Sequence, residues 1–202
     1  VFLHYHDAST TEAANNMYDT RAHLGLPATF KKKMIVKPIN LPYFIQKVKN
    51  HKVIKEHYLN EINKLPINRI DTVGNTDWNL EKTPINYSFF LSQIQENLEN
   101  MAEFFKVKKC SPHNFWFQQY KKNDHHVWHT HADCNYTNVY YLEVDSGATE
   151  VKDPFTHKTL KMKVKEGTIL SMPGFLLQRS HKFKKNITKS IIAFNTSFHT
   201  DV

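Results

Sequence analysis

Apolar positions along this chain change period once, from helical to alternating, and that change divides it. From His51 to Leu65, the residues Ile54, Tyr58, Ile62 and Leu65 recur near helical spacing, and Pro66 ends the pattern. Pro84 to Tyr87 lead into a second helical stretch. There Phe90, Leu91, Ile94, Leu98, Met101 and Phe105 form an apolar stripe, with Gln93, Glu96, Glu99 and Asn100 on the other side. A stripe of this kind predicts a face packed on a sheet rather than a cofactor pocket.

After Cys110 the texture becomes extended. Short runs rich in aromatic and β-branched residues follow one another, separated by turn residues such as Asp145-Ser146-Gly147 and Glu166-Gly167. The predicted strands cover about 114–120, 127–132, 138–144, 149–152, 159–164, 168–172, 176–183 and 189–198. So many short strands in so little chain predict a jelly roll or related barrel, a mainly β fold buttressed by N-terminal helices. The expected organisation is an N-terminal arm or extension over 1–33 and one domain over 34–202. Within that domain, 34–109 would be helical support and 110–202 the β-barrel core. Met34-Ile35-Val36-Lys37 reads like a natural start after Lys31-Lys32-Lys33.

Composition narrows the class. The chain has 202 residues, 40% of them hydrophobic, with 14 Phe, 9 Tyr and 3 Trp, which is enough for a packed core. No apolar run approaches the roughly 20 residues that span a bilayer. The first residues lack the sections of a signal peptide. With only two cysteines, Cys110 and Cys134, a disulfide framework is excluded, and a reducing cytoplasm is the expected setting. The net charge is +8, but the lysines of 158–165 alternate with apolar residues as on a solvated strand face. Without an Arg-rich helix or an aromatic-basic ladder, nucleic acid is not the expected partner. Five glycines and no phosphate-binding loop argue against a nucleotide fold. No Ser-His-Asp or Cys-His nucleophile arrangement has supporting context.

The chemistry concentrates in Asp124-His125-His126-Val127-Trp128-His129-Thr130-His131-Ala132-Asp133. On a strand, residues two apart share a face, so His129 and His131 would project side by side into the barrel and chelate one ion. Asp133 continues that face and would supply a carboxylate if the strand ran so far. His125 and His126 precede the strand and read as loop residues. Histidine and carboxylate donors without thiolate suit iron, zinc, manganese or copper. The alternative is a pair of hydrogen-bonded histidines inside a polar barrel. Cys134 is expected to turn away as a small buried residue.

Five stretches in a fixed order carry a resemblance. They are Trp116-Phe117-Gln118-Gln119-Tyr120, Trp128-His129-Thr130-His131, Asn138-Val139-Tyr140-Tyr141-Leu142, Glu166-Gly167-Thr168 with Pro173, and Lys189 to Asn195. Together they resemble the 2-oxoglutarate- and Fe(II)-dependent oxygenases common in marine bacteria and their phages, over about residues 50–202. The resemblance implies a double-stranded β-helix, with Fe(II) and 2-oxoglutarate as cofactors. It gives His129 and His131 the two early ligand places and makes Lys189 the anchor for the far carboxylate of 2-oxoglutarate.

It also implies a histidine about five residues after Pro173, where this chain has Gln178. His181 follows three residues later and becomes the third ligand if a bulge re-registers the strand. In a regular strand the two positions face opposite sides. Trp116, Tyr120, Trp128 and Tyr140 are candidate cavity walls, and loops 121–126 and 145–158 are candidate substrate elements. The implied activity is oxidation of a small-molecule or protein substrate with decarboxylation of 2-oxoglutarate to succinate. Two alternatives stand beside it: a barrel that binds without catalysis, and a cupin-type metalloenzyme without a cosubstrate.

Overall fold

A computed structural model describes residues 40–145, 149–182 and 189–200. The arm expected over 1–33, with its His4-Tyr5-His6-Asp7 alternation, lies outside the described residues. Three helices are present among them: α1 (His51–Ile62), α2 (Ser88–Gln93) and α3 (Gln95–Phe105). Eleven strands accompany them: β1 (Phe44–Lys47), β2 (Arg69–Ile70), β3 (Gly74–Thr76), β4 (Lys109–Tyr120), β5 (His126–His129), β6 (Tyr136–Val144), β7 (Glu150–Lys152), β8 (Thr159–Lys161), β9 (Thr168–Pro173), β10 (Gln178–Ser180) and β11 (Lys189–His199). No described helix is long and apolar enough to cross a membrane.

The strands form two antiparallel sheets: a seven-stranded sheet ordered β1-β9-β6-β11-β4-β3-β2 and a four-stranded sheet ordered β5-β10-β7-β8. This is the expected mainly β double-stranded β-helix. The stretch assigned to helical support also contributes β1, β2 and β3, which extend the large sheet at both edges. They are too short to leave an alternating signature. The single predicted second helix is divided at Ile94, whose backbone closes α2 and opens α3.

Strand alternation sorts the core into two layers. On one face of the large sheet, Phe117, Tyr140, Leu142, Ile192 and Phe194 pack against Ile54, Tyr58, Phe90, Ile94, Leu98 and Met101 of the helices. On the other face, Trp116, Tyr120, Val139, Tyr141, Leu170, Met172, Ile191 and Ala193 meet Val151 and Met162 across the barrel. Lys189 and Asn195 share the inward parity of Ile191 and Ala193, and Gln118 shares that of Trp116 and Tyr120. Polar side chains are thereby carried into the barrel on strands whose other residues are core.

Gly74 holds the β2–β3 turn against β4 at a φ of +93°. A Cβ there would lie 2.4 Å from the Gln119 carbonyl oxygen and 2.9 Å from the Asp124 carboxylate. Asp124 is buried, bonded by Arg69 and by the Lys121 amide, so it cannot move aside. Gly74→Ala is expected to cost about 1–3 kcal/mol, read as a melting temperature lowered by about 2–4 °C for each kcal/mol. An unchanged melting curve would show that the turn relaxes freely.

Candidate functional site

His129 ends β5 and faces the barrel from the small sheet. His131 stands just beyond that strand, fixed by its backbone amide donating to the Gly174 carbonyl at 2.8 Å. Gly174 has no room for a side chain, since a Cβ would meet the Cys134 Sγ at 2.6 Å. The two imidazole centroids are 5.3 Å apart. Each ring has Nδ1 engaged with a carbonyl-type oxygen, His129 with Val127 O at 2.8 Å and His131 with Asn195 Oδ1 at 3.1 Å. A carbonyl can only accept, so Nδ1 carries the proton and Nε2 keeps its lone pair, the arrangement a metal-ligating histidine needs. Burial pushes both rings below the ordinary histidine range, His131 to about 4. They are neutral at physiological pH. Trp116 stacks on His131 with centroids 5.7 Å apart.

Gln178 lies directly opposite His129 in the β5–β10 pairing and is 3% exposed. His181 falls beyond the end of β10, with a side chain 37% exposed and Nδ1 3.6 Å from Glu150 Oε1. The structure therefore brings Gln178 to the histidine pair and leaves His181 beside Glu150, which also accepts from Arg179 Nε at 2.7 Å. Asp133 is exposed, off the strand and at a φ of +54°, so the strand ends before it can supply a carboxylate.

At the floor of the barrel, Lys189 is 1% exposed. Its Nζ donates to Ser180 Oγ at 3.1 Å and lies over the rings of Tyr120 and Tyr141. Burial lowers its pKa from 10.5 to about 7. The buried Tyr120 hydroxyl donates to Gln118 Oε1 at 2.6 Å, and the Tyr141 hydroxyl pairs with Thr149 Oγ1 at 2.7 Å. The Lys189 ammonium beside the Ser180 hydroxyl is the pair here that suits an anionic group.

Two spaces that share His126, His129 and His131 in their linings adjoin these residues. An inner chamber of about 40 Å³ touches His126, His129, His131, Gln178, Ser180 and Lys189. An outer cleft of about 670 Å³ is walled by Trp78, Leu80, Glu81, Asn114 and Trp116 and reaches the same three histidines. Of the residues expected to wall a cavity, Trp116 and Tyr120 do so. Trp128 instead lies under Arg179 and Lys152 on the outer face of the small sheet. Tyr140 belongs to the helix-facing core, bonded to His51 Nδ1 at 2.7 Å.

His126 was expected in a loop but is the first residue of β5. Its ring stacks on His129 with centroids 3.8 Å apart, and burial together with neighbouring His129, His131 and Lys189 lowers its pKa to about 3. Nothing in the local pattern announced it, because His126 and His129 are an odd number of residues apart. Asn195 and Ser180 were legible in principle from their parity with Lys189 and Gln178.

The donor set fits its implied ligands unevenly. Neutral histidines with Nε2 lone pairs suit a divalent metal, and Lys189 with Ser180 suits a carboxylate. The place opposite His129 holds a neutral amide. Among the described residues no three His, Cys, Asp or Glu side chains are gathered as a ready metal site.

No protein-family model matches the chain, and no curated protein matches it. Solved structures do. The viral collagen prolyl hydroxylase of Paramecium bursaria Chlorella virus-1, in a 2-oxoglutarate complex, is 15% identical with a TM-score of 0.56, over 79% of this chain and 96% of that one. A 2OG-Fe(II) oxygenase family oxidoreductase from Burkholderia pseudomallei is 10% identical with a TM-score of 0.61, over 77% and 84%. A Pseudomonas putida prolyl-4-hydroxylase is 12% identical with a TM-score of 0.52, over 81% and 95%. At these identities the likeness is one of architecture, and this chain has the double-stranded β-helix fold of the 2-oxoglutarate- and Fe(II)-dependent oxygenases.

Proposed function

We propose that this chain is a 2-oxoglutarate- and Fe(II)-dependent oxygenase. The observation that carries the reading is Lys189: a cation sealed in the barrel, on the same interior as His129 and His131. A lysine is almost never fully buried without a reason. A dicarboxylic 2-oxo acid supplies one, since its far carboxylate would meet Lys189 Nζ and Ser180 Oγ while its other end reaches the histidines. Bound iron and cosubstrate would supply the oxidising chemistry. The protein's own part is to hold and orient them. Val127 O and Asn195 keep the imidazoles in the metal-binding tautomer, Trp116 fixes the ring of His131, and Lys189 sets which way the cosubstrate points.

The substrate would enter by the outer cleft, whose size suits a small molecule or one side chain of a larger one. The inner chamber, at about 40 Å³, has little more than the share of one water, about 30 Å³. Accepting a five-carbon diacid would therefore require lining side chains to turn. That tightness, with Gln178 opposite His129, favours a second reading, a barrel that binds a partner without turnover.

Anaerobic titration with Fe(II) and 2-oxoglutarate, followed by calorimetry, separates the two, with succinate measured after oxygen is admitted. Stoichiometric binding of both and succinate release are expected. Binding of neither would overturn the oxygenase reading, whereas binding without succinate would support the non-catalytic one.

A further inference from the structure

The outer cleft differs in charge from the rest of the chain. Apart from the histidines, its ionisable lining residues are Asp77 and Glu81. Among the described residues no lysine or arginine lines it, in a chain of net charge +8; Lys82 follows Glu81 but is not part of the lining. Asp77 is buried and accepts only from neutral donors: the Thr83 and Tyr87 hydroxyls and the Phe117 amide. Glu81 is exposed. Neither carboxylate makes an ion pair among the described residues. Two other buried carboxylates, Asp124 and Glu150, are paired with Arg69 and Arg179.

Trp78, next to Asp77, lines the same cleft with 63% of its surface exposed, and Leu80 beside it is exposed as well. Single apolar residues on a surface are ordinary, but this indole is held in place. Asn68 Nδ2 donates to Thr76 O and to Asn79 Oδ1, both at 2.7 Å. The Trp78 amide donates to Thr76 Oγ1 at 3.2 Å, and the Leu80 amide closes the turn on the Asp77 carbonyl at 3.1 Å. The turn thus presents a fixed aromatic face to the cleft, with Glu81 three residues further on.

We infer that the outer cleft takes an organic cation, an alkylammonium or guanidinium group on an apolar stem, as the substrate of the site. The word substrate rests on the oxygenase reading above, whereas the preference for positive charge rests on the cleft alone. An indole face attracts a cation through its quadrupole. Carboxylates in a wall of low dielectric focus the same attraction at the mouth. The stem would lie along Leu80 and Phe115, toward the histidines that border the same cleft. An anion would meet two like charges and no basic partner, and a neutral ligand would leave both carboxylates uncompensated.

The test is a titration of the ¹⁵N-labelled full chain, without iron or cosubstrate, with pentylammonium, pentanol and pentanoate. The reporter is the indole N–H signal that Trp78→Leu removes. Pentylammonium should bind roughly 3–30-fold more tightly than pentanol, the range for one cation–π contact plus one exposed ion pair. Pentanoate should bind more weakly than either, and added salt should narrow the differences. Glu81→Gln should weaken the ammonium by up to about 5-fold and leave pentanol unchanged. Glu81 makes no hydrogen bond among the described residues, so this variant should fold like the parent. A capped tripeptide with lysine at its centre separates two sources of such a cation. Tighter binding than pentylammonium assigns a side chain of a polypeptide, and weaker binding assigns a free amine. Pentanol or pentanoate binding as tightly as pentylammonium would overturn the inference, as would a Trp78 signal that no probe moves. Either result leaves the oxygenase reading to its own titration with iron and 2-oxoglutarate. Ammonium selectivity in a chain that binds no 2-oxoglutarate would remove the oxygenase and keep the cation.

Discussion

Replacing Lys189 by methionine is expected to abolish measurable 2-oxoglutarate binding and, at neutral pH without cosubstrate, to raise the melting temperature. Both outcomes come from one buried charge. Removing one partner of a desolvated charge pair costs about 2–5 kcal/mol of binding, or at least about 30-fold in affinity. Without the anion, burial alone drives the Lys189 pKa from 10.5 down to about 7. A group with a depressed folded pKa adds no penalty above its unfolded value of 10.5. Its penalty grows as the pH falls and is complete at about 7. Methionine fills a similar volume without that cost, so the variant should gain a few kcal/mol near neutrality, and the gain should vanish toward pH 10.5.

The same group sets the pH dependence of binding. The ammonium form must be present, so affinity should be full below about pH 7 and decline above it. Its lower limit lies near pH 4, where His131 begins to protonate. Calorimetry across this range, with thermal melts of both proteins, checks the set. A variant that binds 2-oxoglutarate as tightly as the parent would remove Lys189 from the site.

Asp77→Ala is expected to be the most destabilising single change outside the histidine cluster. The Asp77 carboxylate is 3% exposed and accepts the Thr83 hydroxyl, the Tyr87 hydroxyl at 3.1 Å and the Phe117 amide at 2.8 Å. Truncation strands the last two in the core, at about 1–3 kcal/mol each. A fall in melting temperature on the order of 10 °C follows from about 3–5 kcal/mol at 2–4 °C for each. The turn tied down by these bonds carries Trp78, Leu80 and Glu81, which wall the outer cleft. The variant should therefore keep 2-oxoglutarate binding in the cold, because Lys189 and the histidines stand on other strands. Loss of cosubstrate binding in a cold, folded sample would show that the cleft and the inner site are coupled.

The predicted strands over 110–202 coincide with β4 to β11 to within a few residues, and the helix over His51–Leu65 coincides with α1. These were legible because each buries one face over several periods, which leaves a repeating mark. β1, β2 and β3 have two to four residues each and leave none. Lys189, His129 and His131 could be singled out because an ordered set of motifs surrounds them.

Which third residue joins the histidines is a different kind of question. Alternation is a local rule, and it holds only while the register holds. The resemblance offered Trp128 and Tyr140 as cavity walls and the strand was begun after His126, because a bulge and the side of the sheet that the helices cover are properties of pairing. The sequence alone determined a mainly β barrel with two histidines and a lysine directed to its interior. Only the tertiary structure decided that Gln178 stands opposite His129, that His181 sits with Glu150, and that His126 turns inward. The physical reason lies in pairing: the β5–β10 register sets Gln178 opposite His129 and turns His181 away, and the one extra residue of β5 reverses the facing of His126, all visible only when both strands are in place.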